Sequence, residues 1–156
     1  METMGVGIPH YVQKYFAYAL DECKANHRTG ITLEDIDVAY SQRMLGSLGQ
    51  ADLTSYYERI QRVLGEVLMP VAIELLTETA VKNVLTESTI AKVNGLKGFE
   101  NYDGKEILEV LEILMHDGYL KRENNKYSFV SKLLKDWWKI RYGTGYVSIQ
   151  HRVRGK

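Results

Sequence analysis

One stretch, Asp103 to Phe129, constrains the fold more than any other. Asp103 is a suitable helix cap, and Ile107, Leu108, Leu111, Leu114 and Met115 follow at helical spacing. Asp117-Gly118 then stops the helix, because glycine accepts the left-handed conformation of a helix end. Two short strands come next, Tyr119-Leu120-Lys121-Arg122 and Lys126-Tyr127-Ser128-Phe129. Between them lies Glu123-Asn124-Asn125, and Asn tolerates the positive φ of a hairpin turn.

The elements before this stretch narrow the choice. Pro70 opens a helix through Ala72, Leu75, Leu76, Thr79 and Ala80. Thr86-Glu87-Ser88-Thr89 starts a short helix carrying Ile90 and Val93, and Gly95 and Gly98 punctuate the loop that follows. Three helices followed by a hairpin form the winged version of helix-turn-helix. A last helix, Ser131 to about Tyr142, brings Leu133, Leu134, Trp137 and Trp138 together, and the two tryptophans are expected to clamp it onto the wing. Gly143 and Gly145 end it.

The first half reads as a small helical bundle. Pro9 starts a helix whose apolar face is expected at Val12, Phe16, Ala19, Leu20 and Cys23, with Tyr11, Tyr15 and Tyr18 as a flanking, packing stripe. That helix fades at Asn26-His27-Arg28-Thr29-Gly30. Thr32 caps a second helix with Glu34 and Asp35 in its first turn, and Ile36, Ala39 and Tyr40 on its apolar face. Asp52 is expected to cap a third, in which Leu53, Tyr56, Tyr57, Ile60, Val63, Leu64 and Val67 recur at helical spacing. The fold class is therefore mainly α. Residues 1–68 form the helical bundle, 69–142 the winged-helix domain, and 143–156 a flexible basic tail.

Charge is unevenly distributed. Residues 1–120 hold 10 Lys/Arg against 18 Asp/Glu, whereas 121–156 hold 10 against 2. A basic end can meet nucleic acid, an acidic protein or the acidic remainder of its own chain. The residues that would touch phosphates are Lys121, Arg122 and Lys126 on the wing, and Lys135, Lys139 and Arg141 on the last helix, which also carries Lys132. The helix that would enter a major groove argues the other way. Its outward face reads Lys105, Glu109, Glu112 and His116, with Glu106 beside it, and carboxylates there repel phosphates.

Catalytic constellations are missing from the pattern. Gly98 to Glu106 only imitates a phosphate loop: it has one residue too many between its glycines, Glu where a magnesium-binding hydroxyl belongs, and no strand before it. His10, His27, His116 and His151 are scattered, without the spacing of a zinc site. The single cysteine, Cys23, falls on the buried side of its helix and excludes an internal disulfide. No apolar run reaches the length of a membrane span, and Met1-Glu2-Thr3-Met4 does not open a secretory signal. The expectation is a cytoplasmic, non-enzymatic chain with no metal and no cofactor of its own.

Four segments, in order, resemble one family. Gly7-Ile8-Pro9-His10-Tyr11-Val12-Gln13 resembles the G-x-P start of the helical lid in prokaryotic AAA-type and STAND-class ATPases. Thr32-Leu33-Glu34-Asp35-Ile36-Asp37 is similar to the opening of a later lid helix, and Tyr56-Tyr57-Glu58-Arg59-Ile60 to the helix before the family's winged helix. The stretch from Tyr127 through Ser131, Leu133 and Leu134 to Trp137-Trp138 resembles its closing signature. The resemblance spans roughly residues 5–142. It implies the lid and winged helix of such an ATPase, without the P-loop domain that precedes them there. ATP and Mg²⁺ are implied only for a full-length relative, in which Gly7 and Pro9 would lie on the nucleotide-base side. The implied role is a regulatory or interaction module whose partner is the ATPase core or another protein, with weak nucleic-acid contact left open. A free-standing winged-helix DNA-binding regulator is the alternative.

Overall fold

Residues 9–153 of the chain are described by a computed structural model, apart from the side chains of residues 9, 10, 47–49 and 52. The molecule is mainly helical, with one small antiparallel sheet of three strands in the order β1-β3-β2.

Helix α1 spans Pro9–Ala25. Its inward stripe is Tyr11, Tyr15, Ala19 and Cys23, while Phe16 is 57% exposed and Leu20 also faces out. The expected apolar face is thus rotated toward the tyrosines. A buried tyrosine needs a partner for its hydroxyl, and Tyr15 has one: it donates to the Ile36 carbonyl at 3.1 Å. Its ring meets that of Tyr40 edge-on at 5.9 Å, and the Tyr11 ring lies 6.1 Å from that of Tyr56. The Cys23 thiol donates to the Arg28 carbonyl.

Thr32 caps α2, Leu33–Val38, in a full capping box: its hydroxyl accepts from the Asp35 N–H, and the Asp35 carboxylate accepts from the Thr32 N–H at 2.9 Å. Asp35 is buried and also pairs with Arg28. The Thr32 N–H above all, then the Thr32 hydroxyl and Arg28, hold its carboxyl below the usual range against the opposing effect of burial. The chain continues into a π-helical turn, Ala39–Met44, closed by the Leu45 N–H on the Tyr40 carbonyl at 3.0 Å. That turn aims the Tyr40 hydroxyl at Asp136 Oδ2, 2.6 Å away. Burial first, then the neighbouring carboxylate, pushes the Tyr40 hydroxyl's pKa up.

Helix α3 runs from Ser47 to Lys82 and is broken at Gly65, whose φ of 69° and ψ of −178° are not helical. Two expectations change here. The helix starts at Ser47, with Gly46 as its cap, and not at Asp52. The helix expected to open at Pro70 opens instead at Gly65, about one turn earlier, so that Pro70 lies inside it. The carbonyl that Pro70 cannot engage belongs to Glu66, which already lies at the opened end. Beyond the break, Val71, Ala72, Leu75, Leu76 and Ala80 are buried, and Asn83 ends the helix at a left-handed φ of 66°.

Strand β1, Leu85–Thr86, follows and pairs with β3. Thr86 then caps α4, Glu87–Ile90, and a 3-10 turn at Val93–Gly95 leads to α5, Gly104–His116. The false phosphate loop is resolved into caps: Asp103 and Glu106 form a second capping box. Gly118 leaves α5 at φ 79°. Strands β2, Leu120–Glu123, and β3, Lys126–Phe129, pair through a turn in which Asn124 and Asn125 both have positive φ, at 50° and 58°.

Helix α6, Lys132–Tyr142, is capped by Ser131. Its tryptophans are buried, and Trp138 packs chiefly on α3 where contact with the wing was expected. The Trp138 indole N–H donates to the Thr77 hydroxyl at 3.0 Å, and its ring lies among those of Tyr57, Tyr119 and Tyr142. The expected flexible tail is also corrected as far as residue 153. Ile149–Val153 form a short helix, α7, with Ile149 fully buried. Glu78, itself buried, accepts from the Ser148 hydroxyl at 2.8 Å and the Ile149 N–H at 3.0 Å. The Tyr146 hydroxyl bridges Glu74 Oε1, at 2.6 Å, and Glu78 Oε2, at 2.9 Å, while Arg152 pairs with Glu74. Two glutamates one turn apart on α3 thus hold the segment, a role that net charge alone does not reveal.

Candidate interaction surface

Short helix α4, the start of α5 and the inner face of the hairpin enclose a groove of about 490 Å³. Ile90, Ala91, Ile107, Leu108 and Tyr127 supply its apolar lining, with Asn94 and Gly104 beside them. Each is there for a local reason. The Thr86 cap places Ile90 at the end of α4, the Asp103–Glu106 box sets the start of α5, and the hairpin register puts Tyr127 opposite Arg122. Leu108 is 53% exposed on the outward face of α5.

Charge around the groove is mixed. The rim carries Glu87 and Arg122, which pair at 2.7 Å. Arg122 also donates to Asn125 and lies over the Tyr127 ring, 5.6 Å from its centroid. Along α5 the exposed face carries Lys105, Glu109, Glu112 and His116, as the sequence pattern predicts. Val110 joins Ile107, Leu111 and Leu114 inside, and Met115 is half-buried.

The expected phosphate contacts fall on two elements. Alternation along the hairpin puts Lys121 and Lys126 on the face opposite the core, with Glu123 between them; Glu123 is the Cα partner of Lys126 and pairs with Lys121 at 3.1 Å. Arg122 points to the other face and is held by Glu87. On α6, Lys135 donates to Asn83 Oδ1 at 3.1 Å, and Lys139 is exposed. The Arg141 guanidinium stacks over the Tyr57 ring at 4.8 Å and the Trp137 ring at 5.4 Å. Lys132, at the start of the same helix, is tied to Asp136. Of the expected nucleotide-side pair, Gly7 lies outside the described residues, and Pro9 is the first residue of α1 with its side chain outside the description.

Ile90, Leu108 and Tyr127 were not singled out as a site by the sequence pattern, although one signal was there. Leu108 is a large apolar residue set between Lys105, Glu109 and Glu112 on an otherwise polar helix face. Ile140, 56% exposed between Lys139 and Arg141, is a second instance.

Among the described residues, no helix is long and apolar enough to cross a membrane, and no group of three or more His, Cys, Asp or Glu side chains is placed to hold a metal ion. No known protein family, curated protein or solved structure matches this chain.

Proposed function

We propose that this chain is a non-catalytic interaction module: a lid-like helical bundle joined to a winged helix, of the kind that follows the P-loop domain in AAA-type and STAND-class ATPases. Its task is to dock on protein, either the ATPase core or a separate partner. The observation that carries this reading is the groove beside α5, where the helix that would read a DNA major groove instead presents Leu108, Glu109 and Glu112 next to an apolar floor. Apolar lining suits side chains of another protein, and carboxylates repel phosphate. The helix–strand–helix–helix–hairpin order of α3 to β3 supports the winged-helix assignment.

Fluorescence anisotropy with DNA duplexes at two salt concentrations tests this against a free-standing DNA-binding regulator. The expected result is weak, salt-sensitive, sequence-indifferent binding, near ~10⁻⁴–10⁻⁶ M at physiological salt, reduced in a Lys121/Arg122/Lys126→Ala variant. Nanomolar binding to one selected sequence overturns the reading. The ATPase side of the proposal has its own check. Calorimetric titration of the chain with Mg²⁺-ATP is expected to give no saturable micromolar isotherm, since no phosphate loop is present in the sequence.

A further inference from the structure

Two exposed aliphatic side chains stand on surfaces of opposite sign. Leu108 borders the apolar groove, and Glu109 and Glu112 lie beside it along α5. Ile140 projects from α6 between Lys139 and Arg141. Among the described residues, Glu109 and Glu112 form no ion pair with a cation, and Lys139 and Arg141 form none with a carboxylate. Two other cations adjoin the groove. Arg122 is already committed to Glu87, and Lys105 lies one turn before Leu108, so the α5 face keeps a net negative charge. Rings hold the Arg141 guanidinium in place, which lowers the ordering cost of a new contact.

We propose that the groove receives Ile140 of a second copy of this chain, with Lys139 and Arg141 of the incoming copy against Glu109 and Glu112 of the receiving one. This rests on reading the groove as a protein-docking surface and names its occupant. The two surfaces are different, so the contact is head-to-tail: the receiving copy keeps a free Ile140 and the incoming copy a free groove, and each can engage a further copy. Charge complementarity sets the register and speeds encounter, while the apolar side chain supplies the burial. One side chain in one groove makes a small interface, so the association is weak and concentration-dependent.

Sedimentation velocity of the full chain over a concentration series, at low and high salt, tests the proposal. In low salt the weight-average sedimentation coefficient rises with concentration, and added salt lowers it. Leu108→Glu and Ile140→Glu each sediment as monomers throughout, and melting curves near wild type show that these exposed positions leave the fold intact. An equimolar mixture of the two variants recovers a 1:1 dimer and nothing larger, because only one intact groove and one intact Ile140 remain per pair. A monomeric wild type, association indifferent to salt, either variant associating like wild type, or a mixture that stays monomeric overturns the proposal. Such failure leaves the docking reading standing, since a monomer can still bind a different protein; that reading falls on the DNA titration instead.

Discussion

The segments before and after Gly65 are built to different standards. After the break, Leu75, Leu76, Leu85, Leu111, Leu114, Tyr119, Leu120 and Trp138 are all fully enclosed. Before it, Met44, Leu53 and Ile60 are the large side chains so enclosed among the described residues; exposed apolar side chains occur on both sides, with Phe16, Leu20, Ile31, Leu33 and Val63 before the break and Val67, Leu108, Ile140 and Val147 after it. Both segments carry polar fastenings: Arg28 with Asp35 and Arg43 with Asp21 and Glu22 in the earlier one, Glu87 with Arg122 and Glu74 with Arg152 in the later one, and Tyr40 with Asp136 between them. Polar fastenings contribute less net stability than enclosed apolar area, but they define geometry closely. The contrast is therefore one of enclosure: among the described residues, the later part surrounds more of its large side chains than the earlier part does.

The largest test of this contrast is Trp138→Ala. It removes a fully buried ring and leaves the Thr77 hydroxyl without its indole donor, so a loss of about 3–5 kcal/mol is expected in chemical denaturation. Met44→Ala is expected to cost less. Equal losses would erase the distinction between the two parts. Next comes Gly65→Ala, which places a Cβ on a backbone conformation reserved for glycine. The expected loss is about 1–3 kcal/mol, read from the same denaturation curves, and an unchanged midpoint would mean that the break is not strained for other residues.

Asp35→Asn sharpens the comparison through pH. The wild-type carboxyl titrates below its ordinary value of 3.8 in the folded state. Its contribution is therefore present above the unfolded pKa and is lost as pH falls through the folded one. The variant is expected to be less stable at neutral pH, and the gap in melting temperature to narrow below about pH 4. A gap that stays constant down to strong acid would remove Asp35 from the fastenings. The smallest effect is expected from Tyr119→Phe. The Tyr119 hydroxyl is buried with no hydrogen-bond partner among the described residues, so deleting it should leave stability unchanged or raise it by up to about 1 kcal/mol. A clear loss in thermal melts would show that the hydroxyl has a partner after all.

Where local chemistry decides structure, the sequence was readable. Thr32, Thr86, Asp103 and Ser131 cap the helices that follow them, and Asn124-Asn125 turn the hairpin. Asp52, a good cap by type that lies inside α3, is an exception; the other differences arise where distant contacts decide. The α1 face turned toward its tyrosines because Ile36 and Tyr56, far along the chain, offer Tyr15 and Tyr11 a carbonyl and a ring. Two-residue β1 has no period to detect and exists because β3 needs a partner. The docking of residues 146–153 depends on Glu74 and Glu78, about 70 residues earlier, and charge counting registers them only as acids. The groove is assembled from α4, α5 and β3, so no single stretch encodes it. Its legible trace was Leu108 among charged neighbours.

The seat of α7 on Glu78 sets a practical limit for protein engineering. A chain cut after Tyr142 would retain every strand and every long helix, and would look like a tidy minimal domain. It would also strip the Glu78 carboxylate of the Ser148 hydroxyl, the Ile149 N–H and the Tyr146 hydroxyl, and uncover whatever Ile149 now shields. A carboxylate seated among apolar helices without its donors invites solvent in and exposes a sticky surface. Expression designs, fusion junctions and protease sites therefore belong beyond Val153. A product clipped in the glycine-containing link between Tyr142 and Tyr146 should precipitate on heating well before the intact chain does.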